Sequence, residues 1–251
     1  MLMGLFIRHF RVDMSDAVHS EPGNYPDFNS FFTRALRDGV RPQPAEPTAI
    51  ACPVDGTISE LGRIHGDRLL QAKGRYYSLV DLLGGNRERA DAFRDGLFCT
   101  LYLSPGDYHR IHMPVEGDLN ETSYIPGRLF SVAPHTTRAI SGLFTRNERL
   151  VAMFENGHAP VAVILVGAIF VACMETVWGG VARPNGPDVD VRRFGTDTNK
   201  AVHLRRGEEL GRFNMGSTVI LLFPAGRATW LEELQPGQPV RLGQALGYLS
   251  D

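Results

Sequence analysis

The sequence predicts an α+β fold, with a β-rich core of mostly antiparallel strands and an N-terminal helical segment. Near the N-terminus, apolar residues recur at helical spacing in MLMGLFIRHFRVDM, whereas from Ile50 onward short apolar runs alternate with Gly, Pro and Asp. The longest uncharged stretch is APVAVILVGAIFVACM at 159–174. It is shorter than the ~20 residues that cross a bilayer, and its Val and Ile content favours buried strands.

Residues 1–45 form the predicted N-terminal helical segment. Helical spacing relates the apolar residues Leu2, Leu5, Phe6 and Phe10, with Arg8 and Arg11 between them. A second helix is predicted in DFNSFFTRAL, where Asp27 or Asn29 would cap the N-terminus. The apolar face of the first helix fits two roles, packing on its own domain or lying on a membrane surface, and the pattern alone supports both.

Short apolar runs that follow RPQPAEPT predict the strands of the core. The runs are GTISELGRI, LFCTLYLSPGD, LVAMFENG, VAVILVGAIFVACMETVWGG and STVILLFPAG. One helical interruption is predicted over SLVDLLGG and NRERADAFRDG, where Leu82, Ala90 and Phe93 would form an apolar face. The sequence contains no internal repeat and no low-complexity segment.

The composition favours one domain over residues 1–251 and argues against nucleic-acid binding. Lys and Arg total 26 against 28 Asp and Glu, a formal charge of −2, so no basic field exists to hold nucleic-acid phosphates. Lysine occurs only at Lys73 and Lys200, neither in a recognisable cofactor-binding context. The three cysteines and the histidines lack the spacing of a metal site, so no metal is expected.

Three segments combine a reactive side chain with turn residues. They are CPVDGTIS with Asp55, SPGDYHRIHMP with Asp107, His109 and His112, and NMGST with Ser217. Together they supply an acid, a base and a nucleophile. Each segment also has a simpler explanation: an Asp-Gly turn, two loop histidines that a regular strand would aim at opposite faces, and a Gly-Ser bend before a strand.

The reactive segments lie within longer strings that resemble bacterial, pyruvoyl-dependent phosphatidylserine decarboxylases. The resemblance runs from FRVDMSDA and FNSFFTRALRDGVRP through QAKGRYYSL, YLSPGDYHRIHMP, LFTRNERL, ILVGA and ETVWGG to GRFNMGSTVILLF. It covers nearly the whole chain. One departure is Met215, where Leu commonly precedes the Gly-Ser-Thr triplet, and it leaves the adjacent Gly-Ser pair intact.

The resemblance implies that the chain cleaves itself between Gly216 and Ser217. The products would be a β chain of residues 1–216 and an α chain of residues 217–251. Ser217 would attack the Gly216 carbonyl, and β-elimination and hydrolysis would convert it into an N-terminal pyruvoyl group, the covalent cofactor. Such a carbonyl would provide the electron sink that decarboxylation of an amino acid head group requires.

The resemblance also assigns a role to each reactive side chain. His112 would be the base that takes the proton of Ser217, and Asp55 would orient His112, as in a serine-hydrolase triad. His109 would return a proton to the substrate after carbon dioxide leaves, with Asp107 supporting His109.

Substrate and location are likewise implied by the resemblance. It implies phosphatidylserine as substrate, phosphatidylethanolamine as product, and peripheral attachment at the cytoplasmic face of the cell membrane. The expected assembly is a heterodimer of α and β chains, with further dimerisation left open.

Three other functions stay open on the residues alone. They are a serine hydrolase using Ser217, His112 and Asp55, a non-cleaving lipid-binding relative, and a pyruvoyl decarboxylase for a soluble amino acid. The hydrolase is disfavoured because NMGSTVI lacks a GxSxG elbow.

Overall fold

Helices and strands occur in proportions that confirm a β-rich α+β fold. The structure, a computed structural model, describes residues 2–157, 159–169, 173–182, 186–195, 201–214 and 217–250, apart from the side chains of Leu2 and Ser217. The described residues form six α-helices: α1 (Leu2–Phe10), α2 (Phe28–Phe32), α3 (Leu79–Leu82), α4 (Arg87–Asp91), α5 (Pro134–Ala139) and α6 (Leu143–Arg146). They also form these strands: β1 (Ala49–Ala51), β2 (Gly56–Arg63), β3 (Arg68–Ala72), β4 (Arg75–Ser78), β5 (Leu97–Leu103), β6 (Arg110–His112), β7 (Gly117–Ile125), β8 (Arg149–Asn156), β9 (Ala159–Val166), β10 (Met174–Thr176), β11 (Gly180–Ala182), β12 (Asp190–Arg193), β13 (His203–Leu204), β14 (Glu209–Phe213), β15 (Ser217–Phe223), β16 (Ala228–Trp230), β17 (Pro239–Val240) and β18 (Ala245–Leu249).

The strands assemble into antiparallel sheets, as predicted. The largest sheet has the order β12-β7-β8-β9-β15-β5-β2-β17, and β13 also pairs with β7. A four-stranded sheet has the order β11-β10-β14-β6, a three-stranded sheet has the order β1-β18-β16, and β3 pairs with β4. The chain moves between the four-stranded and the largest sheet at the step from β14 to β15, which is where the Gly-Ser-Thr triplet lies.

Strand β15 lies at the centre of the core. It pairs with β5 on one side and with β9 on the other, and Val219 to Phe223 are fully buried. The uncharged stretch is confirmed as strand at β9 and again from Met174, while residues 170–172 lie outside the described part. Burial of each large apolar side chain contributes ~1.5–3 kcal/mol, so this layer fixes the position of β15 firmly.

The N-terminal segment is less helical than the prediction of a helical region over residues 1–45. Its α-helices are α1 and α2, with one 3-10 turn at Pro22–Asn24 between them. α1 ends where Arg11 adopts a positive φ of 53°, which breaks the helical hydrogen-bond pattern, and the chain beyond it forms an isolated β-bridge between Ala17 and Leu36. Asp27 is the confirmed cap of α2, because its carboxylate accepts a 2.7 Å hydrogen bond from the backbone N–H of Ser30.

Phe6 is partly buried against α2, as expected for the first of the two roles of this apolar face, packing on its own domain. Its ring centroid lies 5.0 Å from that of Phe28 and 6.0 Å from that of Phe31. By contrast, Leu5 is 50% exposed and Phe10 is 39% exposed. Among the helices of the described residues, none is both long and apolar enough to cross a bilayer.

The predicted helical interruption is confirmed as two short helices, α3 and α4. Leu82, Ala90 and Phe93, the predicted apolar face, are all buried. Gly84 and Gly85 both have positive φ angles, 78° and 83°, and they turn the chain between the two helices.

Candidate active site

The three predicted reactive segments meet at one edge of the largest sheet, the edge formed by the end of β5 and the beginnings of β2 and β15. Tyr102, near the end of β5, pairs with Thr57 of β2 and with Thr218 of β15. Because these strands are antiparallel, the end of β5 meets the beginnings of β2 and β15. The segments of Asp55 before β2 and Asp107 after β5 therefore meet the beginning of β15 at this edge.

The backbone of Ser217 begins β15 and is in register with Leu103. Gly216, the other half of the predicted cleavage site, lies outside the described residues, as does the side chain of Ser217. The preceding strand β14 ends at Phe213, whose N–H donates a 3.0 Å hydrogen bond to the carbonyl of His109. His109 thus lies beside the segment that leads into β15.

Asp55 is held by an arginine that the residue pattern did not single out. The guanidinium of Arg41 donates to its carboxylate through Nε at 2.9 Å and through Nη2 at 2.6 Å, and Nη1 reaches Asp16 at 2.7 Å. The N–H of Leu242 donates a further hydrogen bond, at 2.8 Å, to Asp55. These contacts raise the pKa of Arg41, chiefly through its hydrogen bond with Asp55.

Arg41 was not identified because an arginine in a proline-flanked loop is common and gives no signal of its own. Its only sequence signal is its position in the string FNSFFTRALRDGVRP, which carries the family resemblance. In the structure it ties Asp16 of the N-terminal segment to Asp55 at the sheet edge.

His112 is half-buried at the end of β6, and both of its ring nitrogens have partners. Nδ1 lies 2.9 Å from the carbonyl of Gly207, so Nδ1 must carry the proton that this bond requires. Nε2 lies 3.1 Å from the hydroxyl of Tyr108 and therefore accepts. Burial lowers the pKa of His112, against an opposing contribution from the hydrogen bond to Gly207. The ring is thus neutral with its lone pair on Nε2, the state that a general base needs.

The hydrogen bonds of the described residues do not join Asp55 to His112. Gly207 occupies the ring nitrogen that Asp55 would hold in a serine-hydrolase arrangement, and Asp55 is occupied by Arg41 and Leu242. Tyr108, another residue that the sequence interpretation missed, lies four positions before His112 in the same segment.

His109 is fully buried, and its surroundings keep it neutral. Its ring centroid lies 4.0 Å from that of Phe32, and Nδ1 lies 2.9 Å from the carbonyl of Asp107. Burial lowers the pKa of His109 to about 3. Because Nδ1 donates to a carbonyl, Nε2 carries the lone pair, and it has no partner among the described residues. In this state His109 can accept a proton and must do so before it can donate one.

Asp107 supports His109 with its backbone carbonyl, whereas its carboxylate closes the preceding turn. The carboxylate accepts a 2.6 Å hydrogen bond from the N–H of Ser104, and the N–H of Asp107 returns a bond to the Ser104 carbonyl at 3.0 Å. Burial raises the pKa of Asp107 above its ordinary value. The two histidines therefore have separate sets of hydrogen-bond partners, although both belong to one short segment.

Comparisons with known proteins identify the family of this chain. Residues 28–248 match the family model described as phosphatidylserine decarboxylase. A relative from Nitrosococcus oceani is 54% identical over 245 residues, covering 98% of this chain and 80% of its own length. Relatives from Stutzerimonas stutzeri and Methylococcus capsulatus are each 51% identical, covering 96% and 98% of this chain and 82% and 85% of their own lengths. All three are named phosphatidylserine decarboxylase proenzyme. The chain therefore belongs to the phosphatidylserine decarboxylase family and is a decarboxylase.

Proposed function

We propose that this protein converts phosphatidylserine to phosphatidylethanolamine with a pyruvoyl group that it forms by cleaving itself between Gly216 and Ser217. The observation that carries this proposal is a set of buried polar atoms without partners, on the segments that flank that bond in the chain and on His109, whose carbonyl is bonded to Phe213. They are His109 Nε2, Asn214 Oδ1 and Thr218 Oγ1, none of which has a hydrogen-bond partner among the described residues. Buried polar atoms are nearly always paired, so each unpaired atom needs a reason, and a catalytic role is one such reason. This environment fits a small carbonyl group formed from the chain itself.

The cleavage begins with an acyl shift at the Gly216-Ser217 bond. The Ser217 oxygen bonds to the Gly216 carbonyl carbon, the C–N bond breaks, and the hydroxyl proton passes through a base to the leaving nitrogen. Loss of the Cα proton of Ser217 then expels Gly216 as a carboxylate. Hydrolysis of the remaining dehydroalanine releases ammonia and leaves the pyruvoyl group at the start of β15.

His112 is the proposed base because its Nε2 lone pair is available to a proton. Tyr108 donates its hydroxyl to this nitrogen in the structure, so it must give up that bond when Nε2 takes the proton of Ser217. Gly207 keeps the ring in the required tautomer. Asp55 contributes its negative charge, which favours protonated His112.

In the decarboxylation, the chain's own residues hold and return one proton. The pyruvoyl carbonyl supplies the electron sink for the carbanion that forms when carbon dioxide leaves. His109 takes up, on its unpartnered Nε2, the one solvent proton that the net reaction consumes, and then delivers it to the substrate Cα. Asp107 fixes the orientation of the His109 ring through its carbonyl.

An enzyme that acts on a membrane lipid needs a surface that contacts the bilayer, and α1 is the proposed contact surface. Leu5 and Phe10 are exposed apolar residues, and Arg8 and Arg11 are exposed beside them. The proposed attachment is peripheral and at the cytoplasmic face, with the arginines near anionic head groups, each worth ~1 kcal/mol.

Intact-mass measurement and carbon dioxide release from phosphatidylserine vesicles test the proposal. We expect two chains, 1–216 and 217–251, the smaller one lighter by one ammonia than a fragment that begins with serine. Ser217→Ala should give a folded, uncleaved and inactive chain, and Asp55→Ala and His112→Ala should accumulate precursor. A two-chain product from Ser217→Ala would refute the cleavage, and normal maturation of either other variant would refute its role in the acyl shift.

A further inference from the structure

A cavity of about 260 Å³ lies between the N-terminal segment and the sheet edge of the candidate site. The charged residues of its lining are four arginines and four aspartates: Arg11, Arg34, Arg41, Arg241, Asp13, Asp16, Asp55 and Asp107. Two of these are the candidate catalytic residues Asp55 and Asp107. Ser104, which follows the β-ladder partner of Ser217, also lines it. The cavity therefore reaches the end of β5, next to the backbone position at which β15 begins.

Two arginines of the lining have no hydrogen-bonding partner, although the positive charge of Arg241 helps to lower the pKa of Asp13. Arg11 and Arg241 are exposed, and neither side chain makes a hydrogen bond or ion pair with any described residue. Arg41, by contrast, is occupied by Asp16 and Asp55. An arginine fork without a protein partner is suited to an anion, and phosphate oxygens match its geometry.

A third arginine provides an unused donor inside the cavity. Arg34 is only 4% exposed, yet its Nε has no partner among the described residues. Its Nη2 donates to the carbonyls of Gly106 and Asp107 at 3.2 and 3.4 Å. A buried guanidinium with a free donor costs stability unless a ligand completes its hydrogen bonds.

We propose that this cavity binds the glycerophosphoserine head group, with the phosphodiester between Arg11 and Arg241 and the serine carboxylate towards Arg34. This inference rests on the proposed function. The cavity volume is below the ~300–1,000 Å³ of pockets that enclose drug-sized ligands, so it accommodates a head group and leaves the acyl chains outside. Phe10, which lines the cavity and is 39% exposed, lies where those chains would leave it.

The proposed site draws on both products of the cleavage. Arg11 belongs to residues 1–216 and Arg241 to residues 217–251. The phosphate would therefore bridge the two chains of the processed enzyme, and the N–H of Leu242 on Asp55 holds the Arg241 segment in place for it.

The test compares Arg11→Gln and Arg241→Gln with Arg227→Gln, a control at an exposed arginine of the same C-terminal segment that does not line the cavity. Exposed arginines without contacts change stability little when substituted, so all three variants should fold. Each is made in the Ser217→Ala precursor and in the cleaving enzyme. Phosphorus NMR titration of the precursors with glycerophosphoserine, and separately with inorganic phosphate, measures binding without catalysis. Phosphatidylserine in detergent micelles gives KM and kcat without a bilayer.

We expect Arg11→Gln and Arg241→Gln each to raise the Kd of glycerophosphoserine and the KM of phosphatidylserine at least about tenfold, with normal cleavage. Arg227→Gln should match the parent. Unchanged Kd in both cavity variants, no binding by the parent precursor, or equally tight binding of inorganic phosphate would overturn the head-group site. Loss of cleavage or turnover in the parent enzyme would instead refute the proposed function, and the precursor titration would still decide the site.

Discussion

Replacing Arg41 by Gln should destabilise the protein by ~2–3 kcal/mol, because two aspartates would lose their shared cation. The side chains of Arg41, Asp55 and Asp16 are 11%, 15% and 25% exposed. The exposure of this cluster is therefore intermediate between that of a surface ion pair and that of a buried ion pair. Removing one partner of a buried pair costs ~3–5 kcal/mol, whereas an exposed pair contributes ~0–1 kcal/mol. The N–H of Leu242 would remain on Asp55 and limit the loss.

Urea unfolding of the Ser217→Ala precursor measures this loss without interference from cleavage. Arg94→Gln is the matched control, since the Arg94–Asp91 pair is more than half exposed, and it should cost less than ~0.5 kcal/mol. Adding Asp55→Asn to Arg41→Gln should recover part of the stability, because the unpaired charge is then gone. If Arg41→Gln costs no more than the Arg94 control, or if the double variant is simply additive, Arg41 does not hold Asp55 in the way described.

Three further predictions concern His109 and the first helix. His109→Ala should cleave normally but lose most decarboxylation, and cyanoborohydride should still attach phosphatidylserine to the small chain; an uncleaved product would place His109 in maturation instead. The pKa of His109 is about 3 in the folded chain against 6.5 ordinarily, so the unfolded chain binds the extra proton as pH falls below 6.5. The stability of the precursor relative to His109→Gln should therefore fall by ~2 kcal/mol between pH 7 and pH 5 in urea unfolding, and a constant difference would contradict the burial argument. Changing Leu5 and Phe10 together to Ser should weaken sedimentation with anionic vesicles, and unaltered binding would exclude α1 as the contact.

Features set by neighbouring residues were predictable from the sequence. Asp27 caps α2 because a carboxylate three residues before an N–H reaches it within one turn. The β-branched and apolar run after Ser217 forms a buried strand because it has no polar face to expose. The apolar face of α3 and α4 was recognisable from spacing alone.

Features that depend on long-range contacts were not predictable. The backbone N–H of Leu242, which donates a hydrogen bond to Asp55, lies 187 positions away from Asp55 in the sequence, and no local pattern indicates this contact. The orientation of His112 by Gly207 depends on the pairing of β6 with β14, which only the sheet topology defines. The extent of the helices within residues 1–45 was not predictable for a related reason, because the chain leaves α1 at Arg11, where φ is 53°, and then bridges Ala17 to Leu36.

The central position of β15 has a consequence for the lifetime of the processed enzyme. β15 is flanked on both sides by strands from residues 1–216, and β17 and β18 pair with β2 and β1. After the proposed cleavage, global unfolding would free a 35-residue peptide (251 − 216) from the middle of the sheet. Recovery would then require two molecules to meet, with no covalent connection to guide β15 back between its neighbours. The precursor would refold after denaturation and the mature enzyme would not, so its persistence would be governed by the rate of unfolding.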